Sequence, residues 1–86
     1  MSFTQHEAQA KIEKHVRVRD NTLADYGLTQ GTRGRVIGAR GGITCELPDG
    51  TTAVGWVVHV EFTLASGSTG HILLAKHEYE RSLEEL

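Results

Sequence analysis

Gly31-Thr32-Arg33-Gly34-Arg35-Val36 follows one alternating segment, His15–Arg19, and opens another, Arg35–Ala39. A glycine at 31 gives the chain a positive-φ turn, and one at 34 permits a close backbone approach that a Cβ would obstruct. That device belongs to the sharply bent strands of a small β-barrel. It speaks for a fold and not for a chemistry.

On the amino-terminal side, His15-Val16-Arg17-Val18-Arg19 reads as a strand burying Val16 and Val18. Before it, Thr4-Gln5-His6-Glu7 has the spacing of a capping box, Phe3 can staple onto Ala8, and Ala8 and Ile12 share a face. These signals predict a short helix over residues 5–14. Asp20–Gln30 carries turn formers around Leu23, Tyr26 and Leu28 and reads as a long surface loop.

On the carboxy-terminal side, the strand ending at Ala39 runs into Gly41-Gly42, a hairpin signal. Ile43–Leu47 alternates again, and Pro48-Asp49-Gly50 supplies a turn. Thr51–Val54 starts the return, with Gly55 marking a bulge. Trp56, Val58, Val60 and Phe62 share one face of the strongest strand, and Val57, His59 and Glu61 occupy the other. Ala65–Gly70 reads as a loop and Ile72–Leu74 as a short strand. Lys76–Leu86 reads as a helix striped by Tyr79, Leu83 and Leu86. Glu84 and Glu85 would end that helix where its dipole disfavours them, so fraying is expected. Ala75 gives it no capping side chain, a deficit of roughly 1 kcal/mol.

The chain of 86 residues is 38% apolar and 23% charged, which fits one folded domain over residues 1–86 and excludes a disordered chain. No apolar run is long enough for a transmembrane helix, and no basic-then-apolar leader is visible. The single cysteine, Cys45, cannot form an internal disulfide, which points to a reducing cytoplasm. Net charge is −2, yet Lys14–Arg40 carries +4 and Gly41–Leu86 carries −5. A basic front half is thus joined to an acidic back half.

These pieces, taken together, are similar to a loosely defined group of small uncharacterised bacterial SH3-like β-barrel proteins. The group runs from a helix to V-R-V, here Val16-Arg17-Val18, and then to G-x-x-x-G-T-x-G-x-V, here Gly27 through Val36. A central W-x-V-x-V-x-F/W strand follows, here Trp56 through Phe62, and then K-x-E-Y-E-x-x-L, here Lys76 through Leu83. The Gly-Thr-x-Gly-x-Val turn also resembles that of the KOW modules in ribosomal and elongation-factor proteins. The resemblance implies a mainly β fold, an SH3-like five-stranded barrel with short N-terminal and C-terminal helices, and an origin in bacterial accessory genomes or mobile gene cassettes. Where the group has an aromatic segment before its last helix, this chain has Ile72-Leu73-Leu74, so a surface built on those aromatics is not carried over.

Arg17, Arg19, Arg33 and Arg35 alternate with inward valines, which puts all four guanidiniums outside. If the two strands pair, the arginines form one patch, extended by Lys14 and Arg40 and suited to phosphate; otherwise Glu61 or Glu46 balances them on a solvated face. Five histidines, His6, His15, His59, His71 and His77, show no metal-ligand spacing and read as scattered surface residues, with His71 and His77 able to approach around the last turn. Cys45 lies on an inward stripe as a small apolar side chain. No catalytic carboxylate pair, nucleophile-base set or P-loop can be assembled, so no enzyme activity, cofactor or metal is expected.

The function expected is a noncatalytic binding module acting through a protein partner or as a homo-oligomer, with no role at a membrane. Its surface would combine Tyr26 and Leu28 with the Ala65–Gly70 loop, with Trp56 an anchor if exposed beside Tyr26 and otherwise core against Tyr79 or Leu83. The outer face of the Trp56–Phe62 strand, with Val57 outward, is a second candidate edge for pairing. The alternative is a nucleic-acid-binding barrel using Arg17, Arg19, Arg33 and Arg35. A small-ligand site in a dimer cleft has no positive signal.

Overall fold

Thr4 and Glu7 close the capping box that their spacing predicts. In the computed structural model, which describes residues 2–86, the Glu7 N–H donates to Thr4 Oγ1 at 3.2 Å and the Thr4 N–H to Glu7 Oε1 at 3.0 Å. Helix α1 then runs over Gln5–Ala10, shorter than expected. Sheet pairing ends it: Glu13 takes a left-handed φ of 78° and donates its N–H to the Val36 carbonyl at 2.8 Å.

Strand β1, His15–Val18, has the expected alternation, with Val16 and Val18 buried. The loop after it holds a 3-10 turn at Ala24–Tyr26. It is pinned at 2.8 Å by a hydroxyl pair between Thr22 and the buried Ser82. Strands β2, Arg33–Glu46, and β3, Thr52–Thr63, form one long hairpin. The Pro48-Asp49-Gly50 turn closes it, and Asp49 Oδ1 accepts from the Thr51 N–H at 3.0 Å.

Gly41-Gly42 is therefore not a hairpin, because β2 runs straight through it. The register passes from Arg40 opposite Val57 to Ile43 opposite Gly55, so both glycines face Trp56 alone. Two residues against one is a β-bulge, and glycine serves a bulge as well as a turn. Gly42 supplies a φ of 70°. A Cβ on Gly41 would fall 2.6 Å from Cζ2 of Trp56, so the indole rests on bare backbone. A second register shift separates Val36 from Gly38. The bulge expected at Gly55 thus lies on β2 opposite the neighbouring Trp56, while Gly55 pairs regularly with Ile43 and makes room for Ser2.

Strand β4, Thr69–Leu74, leads to α2, Lys76–Ser82, and the chain then extends into β5, Leu83–Glu85. Helix was expected through Leu86. Instead Leu83 pairs with Val18, Glu84 with Arg17 and Glu85 with Val16. The two glutamates, unfavourable at a helix carboxy end, meet cations in the strand: Glu84 pairs with Arg17, and Glu85 with Lys11 at 2.7 Å. Ala75 has no capping side chain, as its identity requires, but Glu78 accepts the Ala75 N–H at 3.1 Å.

The fold is mainly β: five antiparallel strands in one sheet of order β4-β3-β2-β1-β5, with two short helices. The number of strands agrees with expectation, while their membership does not. Two predicted strands merged into β2, and β5 came from the predicted helix. The sheet is open, with β4 and β5 at its edges. Val16, Val18, Val36, Val58, Val60 and Phe62 line its inner face, which Phe3, Ala8 and Tyr79 cover from the helical side. Phe3 meets Tyr79 edge to face, with ring centroids 5.9 Å apart. No helix among the described residues is long and apolar enough to cross a membrane.

Candidate functional site

Because Val16, Val18 and Val36 point into the core, the residues between them line the outer face. The β1–β2 register then sets Arg17 directly opposite Arg33 and His15 directly opposite Arg35. Gly34 lies between the two β2 arginines, where a Cβ would come 2.6 Å from the Glu61 carbonyl oxygen and 2.7 Å from the Phe62 ring. Its absence lets β2 settle tightly against β3 beneath the guanidiniums. A shallow depression of about 280 Å³ opens here, lined by His15, Arg33, Gly34, Arg35, Glu61 and Thr63.

Of the four predicted arginines, Arg33 and Arg35 line this depression, while Arg17 and Arg19 line a second one with Gly31 and Glu84. The Arg19 guanidinium donates to the Leu83 carbonyl at 3.2 Å, turned toward β5. Arg17 is ion-paired with Glu84, and Arg35 lies 3.6 Å from Glu13. Arg33 pairs with no carboxylate among the described residues. Glu61, one of the two carboxylates expected to balance them, stands directly opposite Arg35 on β3, and the ion pairs themselves come from Glu13 and Glu84. Glu61 faces His71, with Oε2 3.7 Å from Nε2. Arg40 lies beyond the Val36–Gly38 register shift and lines a separate depression with His59 and His71.

The residues proposed from sequence as a partner-binding surface are largely withdrawn from solvent. Leu28 is only 3% exposed, inside the main core, because its loop folds back over the sheet. Val57 is 4% exposed and packs with Cys45 and Ala75, since the bend of β2 wraps Cys45 onto the outer face of β3. Nor is β3 an edge: β2 and β4 flank it. Trp56 is partly buried against the main core and donates its N–H to the Phe3 carbonyl at 3.3 Å. Of the four candidates only Tyr26, 67% exposed, remains free.

The histidine pairing also differs from expectation. His71 meets His59 instead of His77, with His59 Nε2 3.0 Å from His71 Nδ1. His59 on β3 and His71 on β4 are diagonal neighbours, because Glu61 is the residue directly across from His71. The alternation had put His59 and Glu61 on one face, but only the β3–β4 register reveals the third member. No group of three or more His, Cys, Asp or Glu side chains is arranged to hold a metal ion among the described residues.

A separate polar network locks the helices to the sheet. The Thr4 N–H, and then the Lys76 ammonium at 2.9 Å, hold the Glu7 carboxyl down to about 2. Glu85 accepts from Lys11 and from the Tyr79 hydroxyl at 2.8 Å, which lowers its carboxyl. Burial, and then that carboxylate, push the Tyr79 phenol well above its ordinary range. These groups satisfy one another within the fold.

No protein-family model, no curated protein and no solved structure matches this chain.

Proposed function

We propose that this protein is a noncatalytic binding module that docks the phosphate backbone of a nucleic acid on its outer sheet face, through Arg33, Arg35 and Arg17 with His15. The observation that carries it is the cross-strand register, in which Arg17 faces Arg33 and His15 faces Arg35. Arg17 and Arg33 are like charges directly opposite each other, which costs stability on a sheet, so stability alone gives no reason for that pair. An anion bound between them turns that cost into an attraction. Guanidinium forks suit phosphate because they grip two oxygens at once.

Glu84 and Glu13 hold two of the forks in place, and a phosphate would have to displace them. Arg33, without a carboxylate, is ready to bind. Among the described residues no Phe, Tyr or Trp lines this face beside the arginines, which favours contact with a duplex backbone over stacking with single-stranded bases. An SH3-like roll is the architecture we infer for this module. It is supported by a long β2 bent at two bulges, by β5 returning to β1, and by α2 lying between β4 and β5.

Electrophoretic shift of duplex DNA and duplex RNA at low salt tests the proposal. The wild-type chain should retard the duplex, and Arg33→Ala with Arg35→Ala should release it. No retardation, together with no retention on heparin, removes it.

One observation favours a second reading, a protein partner or another copy of the chain. Strand β4 is an unpaired edge of six residues, Thr69–Leu74, without the lysine or proline that commonly blunts such edges, and Leu73 on it is 43% exposed. Light scattering over a concentration series separates this reading from the first.

A further inference from the structure

We propose that His59 and His71 form a two-imidazole site for a divalent transition metal of tetragonal preference, copper(II) first, in a depression of its own whose His71 shares Glu61 with the arginine face. The two ring nitrogens that approach each other, His59 Nε2 and His71 Nδ1, are 3.0 Å apart. Imidazole nitrogens bind such metals at about 2.0–2.1 Å, so two of them at right angles stand about 2.9 Å apart and two in a tetrahedron about 3.4 Å. At 3.0 Å, the length of the hydrogen bond between the rings, both nitrogens can reach one ion, and copper(II) leads the divalent first-row metals in affinity for such sites.

Glu61 prepares one ligand. Its Oε2 lies 3.7 Å from His71 Nε2, the ring nitrogen turned away from His59. A carboxylate on that side favours the proton there and leaves the Nδ1 lone pair on the side of His59, the carboxylate–histidine arrangement common behind metal ligands. Both imidazoles stand on neighbouring strands of one sheet, so little ordering is required on binding. Without a metal, one ring donates its N–H to the other; to bind, the donor ring carries its proton on the opposite nitrogen instead, so both imidazoles stay neutral and no proton is lost. Arg40 lines the same depression, and Glu61 supplies the opposing charge. Water completes the coordination, because no third protein ligand is arranged there among the described residues. The result is an open, exchangeable site.

Calorimetric titration of the full chain with copper(II), nickel(II) or zinc(II) chloride, each alone, should give one equivalent of metal, with copper bound most strongly. His59→Ala and His71→Ala should each weaken copper binding by about tenfold or more. Glu61→Gln, acting through His71, should weaken it by about tenfold, while His77→Ala should leave it unchanged. In the wild-type chain, whose fold is not in question, substoichiometric copper(II) should broaden the His59 and His71 ring resonances before all others. Undiminished binding in either histidine variant, broadening centred elsewhere, or no binding at about 100 µM metal overturns the assignment.

Discussion

Arg17 of β1 and Arg33 of β2 stand directly opposite each other on the outer face of the sheet. Glu84 pairs with the first, and no carboxylate among the described residues pairs with the second. A residue held against its neighbour's charge costs stability, and that cost is measurable. Arg33→Thr removes the repulsion and places a good strand former opposite Arg17. It should stabilise the protein by about 0.2–1 kcal/mol in urea unfolding while weakening binding to duplex nucleic acid. Gain and loss in the same variant would separate a functional arginine from a merely solvated one.

Gly34 is fixed by the layer beneath it. A methyl group there meets the Glu61 carbonyl at 2.6 Å and the Phe62 ring at 2.7 Å, and neither can withdraw without disturbing the β2–β3 ladder. Gly34→Ala should cost about 1–3 kcal/mol, read as a lowered urea midpoint with Trp56 fluorescence as the probe.

Tyr26 and Leu28, two residues apart in one loop, should behave oppositely. Leu28 is 3% exposed and belongs to the core, whereas Tyr26 is 67% exposed. Leu28→Ala should lower stability by about 2–5 kcal/mol, and Tyr26→Ala should change it by less than about 0.5 kcal/mol. Thermal unfolding of the two variants side by side checks this.

Glu7 gives the fold an acid sensitivity. The Thr4 N–H and the Lys76 ammonium hold its carboxyl down to about 2 in the folded chain, against an ordinary value of 4.5. A carboxyl lowered by folding contributes stability above its ordinary range and loses it as pH falls toward the lowered value. Glu7→Gln should therefore be less stable than the wild type at neutral pH, with the gap shrinking from about pH 4.5 downward and closing near pH 2. Urea midpoints measured across that range decide it.

Much of the fold was legible in local patterns. Alternating valines located β1 and the inner face of β3, and Thr4 with Glu7 fixed the start of α1, because each signal depends only on near neighbours. Pairing was less legible. Gly41-Gly42 is chemically the same whether it turns a hairpin or bulges a strand, and only Trp56 across the ladder distinguishes the two. Leu83 satisfies a helical stripe and a strand alike, and its partner Val18 lies far away in sequence. Val57 looked outward-facing by alternation, correctly so for the main core, but the bent hairpin buries it in a second cluster with Cys45. The arginines were legible as an outward set, while the like-charged register and the Glu84 and Glu13 partners required the assembled sheet.

The salt dependence of duplex binding, followed by fluorescence anisotropy, bears most directly on the arginine face. Each neutralised phosphate contributes about 0.9 to the negative slope of log K against log salt, so contacts from Arg17, Arg33 and Arg35 should give a slope of about −2.7. Arg33→Ala should make that slope shallower by about 0.9, uniformly across sequences. A slope indifferent to Arg33, or no binding even at low salt, contradicts a phosphate-binding face.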